Sequence, residues 1–477
     1  MIVVCQSRLR IERAKGVLWT SAERLTNLLT FPSLGSKMKT RRALLSRKPS
    51  RNTWQRLAVR GDRLAGNNVF KQCPPKNAKV SHRKRHVRVG RNRMCWNERI
   101  DLYKQIEAHR GRPLIAYVTS KRWGASNAMA SDALPILIEQ VQALPKAARE
   151  VDLLIVSYGG DPMVAWRLIS ILHQRVDRIE VLIPQSAYSA ATLVALGANK
   201  IVMHPYGHLG PVDMQISNPA AEGFAKWFST EDITAFIDFV RETLHITDQE
   251  HVRALFETTC KEITSLGIGF SARSSKLAVD LAERLLSRHM TEEEQKPKVR
   301  TIVESMSRKF QAHSYPVSRT EAIAMGLPVE PERDKELEEL MWAVWLDMED
   351  ELKECEPFDA ICELLKSSEA DKLLAPVPQL DIASCVTAGS DFKTGLQDVI
   401  DKATSKIAPV DFAVTGVIID SARLGYALVT KGKILASRLP DLRIRHSMFT
   451  SSRTWEKQKR QPAVKATSPT PRKRRKK

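Results

Sequence analysis

The stretch that decides the fold is Val151-Asp152-Leu153-Leu154-Ile155-Val156-Ser157-Tyr158-Gly159-Gly160-Asp161-Pro162. Its apolar run, residues 151–158, has the length and β-branched content of a buried strand, and two glycines end it. Asp161 then stands as a helix N-cap, with Pro162 at the first helical position, where its missing N–H costs nothing. The residues that follow, Val164, Leu168, Ile171 and Leu172, recur at intervals of three and four, so one helix face packs on the sheet. Working outward, a strand is expected over 113–119 and a helix over 132–144. On the other side come a strand over 178–183, a small-residue helix over 189–196 and a strand over 200–203. Short apolar runs alternating with amphipathic stretches are the pattern of βαβ units, so the core is α/β with a mainly parallel sheet.

The chain has 477 residues, of which 43% are hydrophobic and 27% charged, enough to bury a large core. Its net charge of +21 is unevenly spread. Residues 1–93 hold 24 Lys/Arg against 3 Asp/Glu, and residues 441–477 hold 13 against 2, so the stretch between them is acidic. Residues 1–93 show no sustained apolar period and are expected to be a disordered basic extension. An organellar transit peptide and a nucleic-acid-binding arm compete with the favoured reading, upstream sequence translated from a start set too early, because Met94 stands where the composition turns globular. Residues 441–477, ending in Arg472-Lys473-Arg474-Arg475-Lys476-Lys477, are expected to be a solvated basic tail, with a nucleic-acid contact as the lesser alternative. Seven cysteines without a CxxC pair fit neither a disulfide framework nor a zinc ribbon. A reducing, cytoplasmic location is expected. The longest uncharged apolar run, 187–198, falls well short of the roughly 20 residues that cross a bilayer, so no transmembrane helix is expected.

Between these ends, a globular domain is expected over 94–370 and a small region without assigned role over 371–440, with strand-like runs at 412–419 and 426–429. Helices are expected over 230–244, 249–265, 274–289, 298–310 and 319–325. The stretch 334–354 places Leu337, Leu340, Met341, Val344, Trp345 and Met348 on one stripe, a docking face for the core or for another subunit.

The chemistry is expected at two turns. One is Ser157-Tyr158-Gly159-Gly160-Asp161; the other is Ala187-Tyr188-Ser189-Ala190-Ala191, also between a strand and a helix. Glycines after a buried strand let backbone N–H groups face a ligand oxygen, since no Cβ blocks the approach. If the turns adjoin, the N–H groups of Gly160 and Ala190 form an oxyanion hole beside the Ser189 hydroxyl. The competing structural reading is a tight turn in one case and a serine N-cap in the other.

Several motifs in order raise the first reading. The strand-Gly-Gly-helix is followed by Ala187-Tyr188-Ser189-Ala190-Ala191, then by Lys200-Ile201-Val202-Met203-His204-Pro205 and by Leu209-Gly210-Pro211-Val212-Asp213-Met214-Gln215. Arg273-Ser274 comes next, and then Ala312-His313-Ser314-Tyr315-Pro316-Val317 leading to Glu321-Ala322 and Gly326-Leu327. Over about residues 97–350 this resembles the serine dehydrogenase proteinase family, signal-peptide-peptidase-like serine peptidases of the ClpP/crotonase superfamily. The resemblance implies stacked ββα units followed by a helical C-terminal part, assembly into homo-oligomers, and Ser189 as nucleophile. It leaves the general base open. ClpP-type enzymes carry a histidine near the position of Met214; signal-peptide-peptidase-like relatives use a lysine, for which Lys226, Lys261 and Lys276 are available. A lysine would need burial to act. His313 lies in a family motif, though it could equally cap the following turn; Asp213 could orient a base or accept a main-chain N–H. His204 and His208 are expected to be surface or turn residues. Arg273 is expected to meet an acidic neighbour rather than a substrate carboxylate.

The expected function is therefore a serine endopeptidase acting on peptides or proteins through an acyl-enzyme on Ser189. No cofactor is implied, because the Gly-Gly turn lacks the G-x-G-x-x-G pattern. The alternatives are a catalytically silent, peptide-binding scaffold of the same fold, an acyl-CoA enzyme and a nucleic-acid-binding protein.

Overall fold

The computed structural model describes residues 96–213, 215–217, 227–308, 310, 312–379 and 392–459, all within the unit Arg88–Lys477. The expected extension 1–93 lies outside the described residues.

The chain enters through helix α1 (Trp96–Arg110) and lays down β1 (Leu114–Thr119), α2 (Leu134–Gln142), β2 (Glu150–Val156), α3 (Pro162–His173) and β3 (Arg178–Ile183). A two-residue strand β4 (Ser186–Ala187) then leads into α4 (Ala190–Leu196) and β5 (Lys200–Met203). Strands β1, β2, β3 and β5 are neighbours in that order and all parallel. Their sequences read as unbroken apolar runs because both faces are covered. Ile115, Tyr117, Leu153 and Ile155 point into one core with α2, α3 and α4. Leu114, Ala116, Val118, Leu154 and Val156 point into the other. The α3 start follows the sequence reading: the Asp161 carboxylate accepts the Met163 N–H at 2.8 Å, with Pro162 beside it.

Beyond β5 come the short strands β6 (His208–Leu209), β7 (Ile216–Ser217) and β8 (Trp227–Phe228) and the helices α5 (Thr230–Asp238), α6 (Gln249–Ile263), α7 (Ser265–Leu286) and α8 (Lys296–Arg308). The chain returns through β9 (Val317–Ser318) and α9 (Arg319–Ala324) to the long helix α10 (Lys335–Leu352). The α10 stripe docks on the protein's own core: Leu337, Met341, Val344, Trp345 and Met348 are buried with α1 on the second sheet face, and Trp342 is partly buried there.

The C-terminal expectations need correction. After α11 (Ala360–Lys366), α12 (Ala370–Leu374) and α13 (Phe392–Ala403), the chain forms β10 (Ser405–Lys406), β11 (Val410–Ser421), β12 (Gly425–Arg438) and β13 (Ile444–Lys457). Strand β11 pairs antiparallel with β1, so the region left without an assigned role extends the central sheet, which is mixed rather than mainly parallel. The tail expected from residue 441 is, as far as 457, an ordered strand paired with β12 from Arg438↔Ile444 to Tyr426↔Lys457. Residues 460–477 lie outside the described residues. A 14-residue ladder supplies backbone hydrogen bonds that composition does not reveal, and most β13 side chains face solvent, so they carry no apolar pattern.

Candidate active site

The turn after β2 is fixed by bonds to three neighbours. Ser157 N–H donates to the Ser186 carbonyl at 2.9 Å, and Tyr188 N–H donates to the Ser157 carbonyl at 2.9 Å, so β2 runs on beside β4 and holds the two expected turns together. The Ser157 hydroxyl accepts from Thr119 Oγ1 at 2.8 Å and from the Gly159 N–H at 3.1 Å. Met129 donates its N–H to the Gly159 carbonyl and accepts from Asp161 N–H. Both glycines have φ in the left-handed half, +99° and +148°. An alanine Cβ at Gly159 would lie 2.7 Å from Ser189 Cβ and 2.8 Å from the Tyr188 carbonyl oxygen; one at Gly160 would lie 2.2 Å from the Met129 oxygen. Gly159, rather than the Gly160 singled out from sequence, is the residue in close approach to Ser189.

Ser189 itself has φ 53° and ψ −115° and is half-buried, in a conformation that side-chain-bearing residues rarely adopt. Its side chain makes no cap hydrogen bond to α4, so the N-cap alternative does not hold. Among the described residues, neither the Gly160 N–H nor the Ala190 N–H has a hydrogen-bond acceptor, and Ser189 Oγ has no hydrogen-bond partner. Thr192 Oγ1 ties α4 to the small sheet through the Ala187 carbonyl at 2.8 Å and the Gly210 carbonyl at 2.9 Å. Gly159→Ala is expected to slow any reaction at Ser189 by orders of magnitude and to lower Tm more than Gly111→Ala. At Gly111, φ is +69° but nothing lies within 4 Å of the added Cβ. A Gly159→Ala protein that reacts as fast as wild type would contradict this contact.

A second sheet gathers the other candidates. Strands β4, β6 and β9 are neighbours, β6 parallel to β4 and β9 antiparallel to β6. The C-terminal ends of β4 and β6 and the N-terminal end of β9 therefore share one edge. Ser189 follows β4 there, Asp213 follows β6, and His313 precedes β9. His313 Nδ1 hydrogen-bonds Asp213 Oδ1, with the histidine side chain 27% and the aspartate 11% exposed. Two residues 100 positions apart, each a sequence candidate on separate grounds, thus form one pair, and both adjoin the sheet edge from which the Ser189 turn leaves. A histidine held by a carboxylate is the form a base and its orienting group take.

Residues 132–251 match the ClpP-like SDH-type serine proteinase family. The match covers both turns and Asp213, while His313 falls beyond it. Over those residues the chain is similar to that family. Two uncharacterized proteins of Methanocaldococcus jannaschii are similar: one is 23% identical over 205 residues, 43% of this chain and 62% of the relative; the other is 30% identical over 135 residues, 26% of this chain and 44% of the relative. The chain thus spans less than two thirds of the length of either relative. Among solved structures, a mutant of a membrane-bound stomatin-specific protease aligns with 13% identity over 47% of this chain and 83% of its own, with a TM-score of 0.29. Among the described residues, no helix is long and apolar enough to cross a membrane, and no group of three or more His, Cys, Asp or Glu is placed to hold a metal ion.

The remaining candidates sort themselves by contact. Lys226 and Met214 lie outside the described residues. Lys261 and Lys276 are exposed on α6 and α7, without the burial a catalytic lysine needs. Arg273 is exposed and sits over the Phe270 ring at 5.3 Å, rather than on an acidic group. His204 is buried, accepts the Tyr206 N–H at 3.1 Å and stacks on Trp342; burial and, less, the Arg333 charge favour its neutral form. His208 meets the Tyr188 ring edge-on at 5.3 Å, and burial lowers its pKa as well. Sequence reasoning missed the supporting layer. The Tyr188 ring stacks on Tyr158 at 5.2 Å and fills the space beside Gly210, with its phenol pushed up to about 12 by burial and then by Tyr158. The glycine before Pro211 was the one available signal.

Proposed function

We propose that the protein is a serine endopeptidase in which Ser189 is the nucleophile, His313 the general base, Asp213 the group that orients it, and the N–H groups of Gly160 and Ala190 the oxyanion hole. The observation that carries this reading is the Asp213–His313 pair, at the sheet edge that also presents the strained, uncapped Ser189 turn. In the reaction, Ser189 Oγ attacks the peptide carbonyl carbon and its proton passes to His313 Nε2. Asp213 holds Nδ1–H and stabilises the resulting imidazolium. The carbonyl oxygen, now negative, faces two backbone N–H groups without another acceptor, one at the first turn of α4. The intermediate collapses as His313 returns the proton to the departing amine. Water, deprotonated in turn by His313, then releases the acyl group from Ser189.

Peptide or protein substrates follow from the family, and no group in this scheme needs a cofactor. A cytoplasmic location is part of the proposal and rests on the cysteine pattern, with Cys260 and Cys362 as free thiols. The test is covalent labelling with a fluorophosphonate, which needs both an activated serine and an oxyanion hole. Label is expected on the peptide containing Ser189, and is expected to vanish in a folded His313→Ala protein. Label elsewhere, or label independent of His313, overturns the assignment; no label at all identifies the protein as a silent scaffold.

A further inference from the structure

Helix α6 is 15 residues long and amphipathic, with Val252, Leu255, Phe256 and Ile263 along it, yet it buries none of its residues. Helices in proteins draw most of their stability from packing an apolar face, so this one lacks its partner among the described residues. Opposite it, α5 and the π-helical turn Phe239–Thr243 leave Phe236 41% and Phe239 50% exposed. Two adjoining cavities of about 280 Å³ and 340 Å³ lie between the helices and share Ile233, Phe236, Leu255 and Thr259. Together they form one apolar trough.

Charge divides along the trough. Arg241 and Arg253 line only the end at the α5–α6 connection, and Asp232 and Glu262 line only the other. The nine residues from Arg253 to Glu262 put these ends about 13 Å apart at the helical rise. The two bases and two acids therefore lie head to tail on an apolar floor. A two-fold interface joins a patch to its own copy in reverse, so a patch with opposite charges at its two ends is complementary to itself. An anionic membrane fits less well, since residues 229–277 carry 8 acidic against 5 basic side chains.

We infer that the α5–α6 trough is the surface on which a second copy of this chain docks. The apolar floors face each other, and the Arg241/Arg253 end of each protomer lies over the Asp232/Glu262 end of its partner. Arg253, which in the single chain reaches Glu257 on its own helix at 2.9 Å, gains a carboxylate across the two-fold axis. The chain enters this helical arm after Asp213 and leaves it before His313, so pairing also braces both ends of the proposed catalytic pair. The inference stands apart from the Ser189 chemistry, because association is read without activity.

Analytical ultracentrifugation of the full chain at micromolar concentration tests it. Wild type is expected to be dimeric, and Phe256→Asp, Arg253→Glu and Glu262→Arg are each expected to weaken dimerisation at least about tenfold with unchanged circular dichroism. The decisive measurement mixes Arg253→Glu with Glu262→Arg. Each protein alone places like charges across the axis twice, whereas the mixture places opposite charges across it twice, so heterodimers are expected from two monomeric proteins. A monomeric wild type, an assembly untouched by the three variants, or a mixture that stays monomeric overturns the inference. So does a monomer that instead binds an apolar peptide in the trough.

Discussion

Ser189→Ala is expected to reduce peptide hydrolysis by several powers of ten and to leave Tm within a degree or two of wild type. The hydroxyl makes no cap hydrogen bond in the folded protein, so its removal takes away the proposed attacking atom and little else. His313→Ala is expected to cost about as much, and combining the two no more, because nucleophile and base act as one unit. Asp213→Asn keeps a hydrogen-bonding side chain beside His313 but favours the wrong tautomer, and a loss of about 10³- to 10⁴-fold is expected. Ser189→Gly separates chemistry from strain. It removes the side chain from a backbone with φ 53°, and the relief of about 1 kcal/mol or more should raise Tm while activity disappears. Steady-state kinetics and thermal denaturation check all four. An active Ser189→Ala protein, or a Ser189→Gly protein less stable than wild type, would break the proposed link between strained turn and nucleophile.

The legible parts of the sequence were those in which local chemistry and global structure agree. The runs at 178–183 and 200–203 are strands over those residues, and the Asp161–Pro162 cap starts a helix, because buried parallel strands and capped helices impose their pattern on neighbouring residues. Ser189, Asp213 and His313 were each visible as candidates, but not their relationship. The Asp213–His313 contact closes across 100 residues that include the whole helical arm, and no local periodicity encodes such a pairing. The role of Gly159 was hidden for a similar reason: which of two adjacent glycines meets Ser189 depends on how β2 pairs with β4. The second half of β12 and all of β13 were obscured by Lys431, Lys433, Arg445 and Arg453, charges that a solvent-facing ladder tolerates but that break the apolar pattern of a strand.

The same concealment hid a buried electrostatic knot, and with it the largest expected loss of stability. Arg99 on α1 is fully buried and reaches three carboxylates: Asp347 at 2.5 Å and Glu351 at 2.8 Å on α10, and Asp420 at 2.6 Å on β11. Its Nε also donates to the buried Tyr103 hydroxyl at 3.2 Å. One planar guanidinium thus joins the first described helix, the long C-terminal helix and the strand that extends the sheet, using separate donors for separate acceptors. Arg99→Met would keep the bulk and leave the acids facing one another without a cation, at a cost of roughly 3–5 kcal/mol, a large share of the 5–15 kcal/mol typical of a folded domain. Arg99→Lys should recover little, because a single ammonium cannot span three carboxylates in that geometry. The pH dependence supplies a control. Burial holds Asp420 up at about 6, against the pull of Arg99 and with Glu351 adding to the rise; Asp347 is raised by burial too. Between the ordinary carboxylate value and about 6, the folded protein therefore binds more protons than the unfolded one, and this group's contribution to stability falls as pH rises through that window. Without Arg99 the folded-state values rise further, so the Met variant should lose stability more steeply with rising pH than wild type and regain part of its deficit near pH 5. Urea unfolding across that range decides the matter. A Met variant within about 1 kcal/mol of wild type, or a deficit that does not shrink on acidification, would mean that the helices and the sheet are held together by their apolar faces alone.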